Sequence, residues 1–461
     1  MTSHIAQIRI AGLHGLQSLS ATLSPGLNIV HGKNGVGKTT FLHVLASFAE
    51  LDLDRFLWIT FDTITVTMGD GAVVELKRYS GPSPVLQLFV NSTAMGDLTQ
   101  EKPSTPAMRK VVSDVVGGRP VYLPAFRSIL EAVSLRRRAD VRRSPWQERA
   151  YEQMLERELQ GADARRAGWH DPKELAEVTV MKTLQCREWF GEFVPTVRCP
   201  SLSEVAEKVS IELSEADYRL ANSDVQVSSS VFVDVMAALK AEVSPTRDTE
   251  PAYQLAQRIR DLLERLPNSY KGLYGLVGTG DWATRDDDTI SRILSVYEKA
   301  LRTRIEAEQS AYARVETFRS SVNRFLEGKE LEFVPDVRQR NSFRDRVKVR
   351  VGSRKMGLQA LSSGERQVLT LLFSATHMSA VDGMLLIDEP ELSLHVGWQR
   401  PLLRELMAQV GPRQVVVCTH AFEVAADHPE AVRDLVSEPW TARVEEPAQL
   451  ELDHGGPEVE T

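Results

Sequence analysis

Residues 32–39 match the phosphate-binding pattern Gly-x-x-x-x-Gly-Lys-Ser/Thr without a gap. An apolar strand pattern precedes the match at 27–30 and an apolar helical pattern follows it at 41–45, which is the context that a phosphate-binding loop requires. Glycines let backbone N–H groups face phosphates, the lysine reaches the β- and γ-phosphates, and the threonine hydroxyl binds Mg²⁺. A plain glycine-rich turn before a helix would lack these flanks. We therefore predict that ATP and Mg²⁺ are held by Gly32, Lys33, Asn34, Gly35, Val36, Gly37, Lys38, Thr39 and Thr40, with Lys38 catalytic and Thr39 a metal ligand.

A second chemical pattern is an apolar strand at 384–387 that ends in two acids, Asp388 and Glu389. A buried strand brings Asp388 to the edge of a sheet, where its carboxylate can hold Mg²⁺ through water. Glu389 would orient and deprotonate the water that attacks the γ-phosphate. Acids often cap strands, but in a chain with a phosphate-binding loop this pattern indicates a metal ligand, Asp388, and a catalytic base, Glu389.

Residues 361–365 read Leu-Ser-Ser-Gly-Glu and precede a helical pattern at 366–378. A serine with a glutamate three residues later is a capping box, so Ser362 has a purely structural interpretation. A capping box alone does not explain why Asp-Glu-Pro follows shortly downstream at the end of an apolar strand. The segment also resembles LSGGQ, the signature motif of ABC-type ATPases.

This resemblance implies roles for several further residues. In the ABC family the signature of one subunit closes over ATP held by another, which implies that Ser362, Ser363 and Gly364 bind nucleotide between paired heads. The strand pattern at 415–419 ends at His420, in the place of the family's switch histidine, which senses the γ-phosphate. The resemblance therefore implies a catalytic role for His420.

Three positions match the family less well. His395 stands where the family's D-loop crosses between subunits and replaces the usual aspartate. The segment 122–127 lies near the expected Q-loop and contains no glutamine. His14 would lie beside the adenine, on position alone.

The order of the motifs and their residue types resemble those of the ABC-type ATPases that include SMC, Rad50, RecF and the OLD family. Residues 386–395 and 361–367 are particularly similar to the OLD-like branch. Lys38 and Ser362 are more than 300 residues apart, whereas transporter subunits keep these motifs close. We expect no Toprim nuclease domain, because only 41 residues follow His420.

The resemblance thus implies a stand-alone OLD-like ATPase, as in bacterial anti-phage systems such as PARIS and Septu. In those systems a separate effector protein, often a nuclease, acts with the ATPase. A RecF-like DNA-binding ATPase in DNA repair is the alternative. A third interpretation, a scaffold that binds ATP without turnover, is disfavoured because Lys38, Asp388 and Glu389 are all intact.

The elements that must position these residues fall into blocks. Strand patterns dominate 1–127, long helical patterns fill 128–330, strands and helices alternate again over 331–443, and an acidic tail occupies 444–461. We predict an α/β fold, an ABC-type P-loop ATPase head with a mixed sheet and flanking helices, interrupted by a helical, coiled-coil-like insertion. The longest helical pattern, 289–327, would span about 58 Å. The acids at 286–288 just before it are interpreted as helix N-capping rather than as a metal site.

The amino-acid composition argues against several classes of protein. The hydrophobic fraction of 42% and charged fraction of 26% are those of an ordinary soluble globular protein, and we expect no membrane span or signal peptide. The three cysteines, Cys186, Cys199 and Cys418, form no Cys-x-x-Cys pair, so we expect neither a zinc hook nor a disulfide framework and place the protein in the cytoplasm. A net charge of -8 gives no global attraction to nucleic acid.

One local cluster of arginines could still bind phosphates. It contains only two acids, Asp140 and Glu148. A solvated loop is slightly favoured over a loop that contacts nucleic acid or a partner. The arginines of the cluster are Arg136, Arg137, Arg138, Arg142, Arg143 and Arg149.

If this cluster binds phosphates, replacing Arg136, Arg137 and Arg138 with Glu should weaken binding of DNA or RNA and flatten its salt dependence. ATP turnover without nucleic acid should be unchanged. Fluorescence anisotropy over a salt series measures both effects. A wild-type chain that binds neither DNA nor RNA at low salt would show that the cluster is a solvated loop.

Overall fold

The computed structural model of the protein describes residues 4–79, 84–116, 120–127, 151–159 apart from 153 and 157, 172–240, 250–264, 266, 288–334, 346–377 and 383–440. The arginine cluster at 136–149, the acids Asp286 and Asp287, and the predicted tail at 444–461 lie outside the described residues. The predicted block boundaries therefore stay predictions.

Strands and helices are numbered along the described chain. The strands are β1 (Ile5–Leu13), β2 (Gln17–Thr22), β3 (Leu27–His31), β4 (Thr63–Met68), β5 (Val73–Tyr79), β6 (Val85–Val90), β7 (Thr93–Leu98), β8 (Val121–Leu123), β9 (Lys329–Phe333), β10 (Val347–Val351), β11 (Arg354–Met356), β12 (Met384–Asp388), β13 (Gln414–Thr419), β14 (Val432–Asp434) and β15 (Val436–Pro439). The helices are α1 (Lys38–Ala49), α2 (Pro106–Val116), α3 (Pro172–Phe190), α4 (Leu202–Lys240), α5 (Ala252–Leu263), α6 (Asp288–Asn323), α7 (Ser363–Thr376), α8 (Val396–Val410) and α9 (Phe422–Ala425).

A five-stranded parallel sheet in the order β14-β3-β13-β12-β8 lies at the centre of the protein. Every residue of β12 and β13 is buried, which explains their continuous apolar sequences, since parallel strands are covered on both faces. The register puts Asp388 beside Cys418 and Cys418 beside Val30. The carboxyl ends of β3, β13 and β12 therefore meet at one edge of the sheet.

A seven-stranded antiparallel sheet in the order β15-β2-β1-β4-β5-β6-β7 packs with the parallel sheet around one hydrophobic core. Parallel and antiparallel strands thus lie in separate sheets, and β9, β10 and β11 form a third, small one. The predicted fold class, an α/β head with flanking helices and a helical insertion, is confirmed, but two separate sheets stand in place of the one mixed sheet that was predicted.

The insertion is anchored inside the head. The first turns of α4, at Val205, Val209 and Leu213, and the last turns of α6, at Phe318 and Val322, are buried in the core of the head. The two helices run antiparallel, because contacts between them pair later residues of α4 with earlier residues of α6. The pairs are Asp217 with Tyr312 and Asp224 with Arg304. A second small core joins α5 to α6 through Ile259, Leu294 and Leu301.

Some local predictions differ from the structure. The pattern predicted separate helices at 202–221 and 230–243, but α4 is continuous. Within the helix, the hydroxyls of three consecutive serines at 228–230 donate to backbone carbonyls three or four residues earlier. None of the helices in the described part of the chain combines the length and the apolar character required to cross a bilayer.

Candidate nucleotide site

The phosphate-binding loop connects the end of β3 to the start of α1. Gly35 and Gly37 have φ angles of 82° and 101°, in the left-handed region that favours glycine. A Cβ atom on Gly37 would also lie 2.9 Å from Leu19 Cδ1. Lys38 is buried, and its Nζ donates to the carbonyls of Gly32, at 2.7 Å, and Lys33, at 3.0 Å. The loop therefore curls around the ammonium group.

Thr39 and Asp388 come together across 349 positions of sequence. Thr39 Oγ1 donates to Asp388 Oδ2 at 2.8 Å, and the other carboxylate oxygen, Oδ1, is buried without a hydrogen-bond partner among the described residues. Burial raises the pKa of Asp388 to about 6, although the hydrogen bond from Thr39 opposes that shift. A hydroxyl and an unsatisfied carboxylate oxygen are ligands that Mg²⁺ prefers, so these two residues fit the predicted metal.

Glu389 lies in a strained turn directly after β12. Its φ angle is 43°, and a left-handed residue other than glycine costs about 1–3 kcal/mol. Its N–H donates to the Cys418 carbonyl at 2.8 Å, and its Oε1 lies 3.4 Å from Nδ1 of His420. The structure thus brings together two residues that the sequence proposed as catalytic.

Glu391 is a residue of this site that the sequence analysis missed. Its buried Oε1 accepts hydrogen bonds from the Thr419 hydroxyl and from the N–H groups of His420, at 3.1 Å, and Ala421, at 3.2 Å. The same oxygen lies 3.2 Å from His420 Nδ1. Glu391 therefore holds the segment that carries His420. The available signal was a third acid two residues after Glu389.

Arg127 is the second missed residue, at the end of the segment where the Q-loop was expected. Its side chain is buried, and its guanidinium donates to the carbonyls of Asp388, Glu389 and Pro390 and to Gln367 Oε1. Burial lowers the pKa of Arg127 from its ordinary value. A single arginine after a short strand carries no sequence signal for this role.

The signature-like segment forms the complete capping box that its structural interpretation predicts. Ser362 caps α7: its Oγ accepts from the Glu365 N–H at 3.4 Å, and Glu365 Oε2 accepts from the Ser362 N–H at 2.6 Å. Lys329 Nζ donates to the same Glu365 oxygen at 2.7 Å. A Cβ atom on Gly364 would lie 2.8 Å from the Ser393 carbonyl oxygen, so glycine allows the 393–395 turn to approach closely.

Residues 362–364 do not join the group around Lys38 and Asp388. Among the described residues, no hydrogen bond links 362–364 to the phosphate-binding loop. His395 caps α8, with its Nδ1 accepting from the Gly397 N–H at 3.1 Å. His14 lies exposed in the turn between β1 and β2, and nothing in its contacts tests a role beside adenine.

Comparisons with known proteins agree with this geometry in part. A family model described as "AAA domain, putative AbiEii toxin, Type IV TA system" matches residues 283–424. That range contains the signature-like segment, β12 and His420, but not the phosphate-binding loop. No curated protein sequence is similar enough to match the chain. The family match and the loop geometry both indicate a P-loop ATPase head.

Among solved structures, the chain is similar to two Smc head domains. One, with an extended coiled coil and bound to the C-terminal domain of ScpA, comes from Pyrococcus furiosus, with 11% identity, coverage of 95% of this chain and 96% of that chain, and a TM-score of 0.38. The other, with a coiled coil and joint, comes from Pyrococcus yayanosii, with 12% identity, coverage of 94% and 97%, and a TM-score of 0.40.

The raised pKa of Asp388 predicts a pH-dependent effect of Asp388→Asn. The folded protein keeps this proton up to about pH 6, while the unfolded chain loses it near 3.8. The stability that Asp388 contributes is therefore present below about 3.8 and lost as the pH rises through about 6. Removing the charge should raise the free energy of unfolding by roughly 3 kcal/mol at pH 7.5 and by about a third of that at pH 4.5.

Denaturant titration of nucleotide-free protein in a metal chelator measures this difference. Asp114→Asn, at an exposed position of α2, is the matched control and should change stability little at either pH. An equal gain from Asp388→Asn at both pH values, or a loss at pH 7.5, would contradict the cost assigned to this buried carboxylate.

Proposed function

We propose that the chain is an Mg²⁺-dependent ATPase that binds ATP between the heads of two copies and uses this assembly to control a separate effector protein in bacterial anti-phage defence. The observation that carries the proposal is the convergence of Lys38, Thr39, Asp388, Glu389 and His420 at one edge of the central sheet. These residues come from three distant parts of the sequence.

Each of these side chains would have a separate role in ATP hydrolysis. When ATP binds, the ammonium group of Lys38 would release the two loop carbonyls to which it donates. It would then donate to the β- and γ-phosphate oxygens of ATP. Thr39 and Asp388 would hold Mg²⁺, which when bound neutralises charge on the phosphates. Glu389 would orient the attacking water and accept its proton. His420, held by Glu391, would face the γ-phosphate.

Pairing of heads follows from the position of the signature-like segment. The positive end of the α7 dipole can complement a phosphate, but residues 362–364 make no hydrogen bond to their own phosphate-binding loop among the described residues. A second copy would supply the phosphate. Val396, the first residue of α8, is 60% exposed, and Phe422, two residues after His420, is 78% exposed. Head pairing would cover apolar side chains of this kind.

The assignment to defence rests on the sequence resemblance and the family match. The matched family is described as a putative toxin of a type IV toxin–antitoxin system, which is in keeping with a role in bacterial conflict. An effector would respond to movements of α4 and α6, because both are anchored in the core of the head. ATP-driven pairing would then change the surfaces that the insertion presents.

Two substitutions test turnover. Lys38→Ala should abolish ATP binding, because it removes the charge that faces the phosphates, and Glu389→Gln should leave binding intact and reduce turnover by about a hundredfold or more. Phosphate release and calorimetric titration with MgATP measure these effects. Glu430→Gln, the same change at an exposed position, is the control. Equal turnover by wild type and Glu389→Gln would refute the assignment of Glu389 as base.

Head pairing is tested with the same variant. Glu389→Gln with MgATP should accumulate as a dimer or larger assembly, because ATP that is not hydrolysed keeps the heads together. Adding Ser362→Arg should prevent this, since a large cation cannot fit where a serine closes over phosphate. Sedimentation velocity at micromolar protein distinguishes the outcomes. A Glu389→Gln chain that stays monomeric in MgATP would count decisively against pairing.

A further inference from the structure

The guanidinium of Arg127 is a buried cation that contacts three successive peptide groups. Its Nη1 donates to the Asp388 carbonyl at 3.0 Å, and its Nη2 donates to the carbonyls of Glu389, at 3.2 Å, and Pro390, at 3.1 Å. The side chain is 2% exposed. Among the described residues, no carboxylate forms an ion pair with it. Carbonyl groups therefore bind the cation directly, in hydrogen bonds that the charge strengthens.

These contacts fix the turn that carries the proposed base. Both backbone groups of Glu389 are bound: its N–H donates to the Cys418 carbonyl, and its C=O accepts from Arg127. The left-handed φ angle of Glu389 is a conformation that a side chain disfavours, so it persists only where surrounding contacts hold it. Arg127 supplies one of these contacts and binds the peptide groups on both sides.

Arg127 also connects the turn to two other elements. Nη2 donates to Oε1 of Gln367 on α7 at 3.1 Å, and Nη1 donates to the Pro124 carbonyl just after β8 at 3.2 Å. The Arg127 side chain thus connects three elements: α7, the end of β8 and the turn that carries Glu389. Gln367 is itself buried, so the link between Arg127 and α7 is shielded from water.

We propose that Arg127 is a positioning residue for ATP hydrolysis, which holds Glu389 in its left-handed conformation so that the carboxylate faces the attacking water. This inference rests on the proposed ATPase function. Among the described residues, Arg127 makes no hydrogen bond to the phosphate-binding loop or to Thr39, so it acts on the rate of the chemical step and not on the binding of ATP. Without it the turn relaxes toward a negative φ and the carboxylate moves away from the reacting atoms.

The test is Arg127→Lys, which keeps the charge but cannot reach three carbonyls and Gln367 at once with a single ammonium group. We expect kcat to fall by about ten- to a hundredfold, the effect of misplacing a catalytic group by about 1 Å, with Kd for MgATP changed by less than about twofold. Arg187→Lys is the matched control: Arg187 is equally buried but bonds to Val194 and Asp52, and its kcat should stay at the wild-type value.

A double-mutant cycle separates positioning from general stability. In the Glu389→Gln background, Arg127→Lys should change the residual turnover by less than about twofold, because the group that it positions is gone. An equal loss in both backgrounds, or a loss of MgATP affinity that accounts for the lower rate, would overturn the positioning role. Wild-type kcat in Arg127→Lys would overturn it too, while leaving the proposed function in place.

A wild-type chain without Mg²⁺-dependent turnover would instead overturn the proposed function, and the inference with it. If Arg127→Lys does not fold, Gln367→Leu provides the same test, because it removes one acceptor of the guanidinium at nearly constant volume. We expect its kcat to fall by about threefold to tenfold, again with no effect in the Glu389→Gln background. Wild-type kcat in Gln367→Leu would then overturn the positioning role.

Discussion

The parallel pairing of β3, β13 and β12 is the constraint on which the site depends. More than 350 residues of sequence separate β3 from the other two strands, and the register places Val30, Cys418 and Asp388 side by side. Parallel strands end at the same edge of a sheet, so the phosphate-binding loop, the turn that carries Glu389 and the His420 segment all begin there. A shift of one residue in either pairing would separate Thr39 from Asp388.

Buried charge is the second feature that organises this edge. Lys38, Arg127, Asp388 and Glu391 are all at most 6% exposed, and burying a charge without partners is costly. Backbone groups satisfy most of them: carbonyls surround Lys38 and Arg127, and N–H groups bind Glu391. Three of their side-chain atoms have no hydrogen-bond partner among the described residues: Asp388 Oδ1, Glu391 Oε2 and Arg127 Nε. Of these atoms, Oδ1 of Asp388 belongs to the carboxylate that also accepts from Thr39, the other residue predicted to hold the metal.

A series of contacts connects the helical insertion to the signature-like segment. The last turns of α6 are buried in the head, and Asn323 at its end exchanges two hydrogen bonds with Leu331 of β9. The first residue of β9, Lys329, binds Glu365 in the cap of α7. A displacement of α6 would therefore be transmitted to α7, whose first turn resembles the ABC signature. Gln367 on α7 contacts Arg127.

The sequence by itself determined the local patterns: the phosphate-binding loop, the buried strands before Asp388 and His420, and the long helix that became α6. These depend on neighbouring residues, because glycine spacing and apolar runs have meaning within one turn or one strand. It missed α2, which lies within the block 1–127 where strand patterns dominate. Only the tertiary structure decided the roles of Arg127, Glu391 and His395. A buried arginine and a surface one look alike in sequence. The carbonyls of residues 388–390 that bind Arg127 lie 261 to 263 positions away, and the pairing of β8 with β12 brings them into contact.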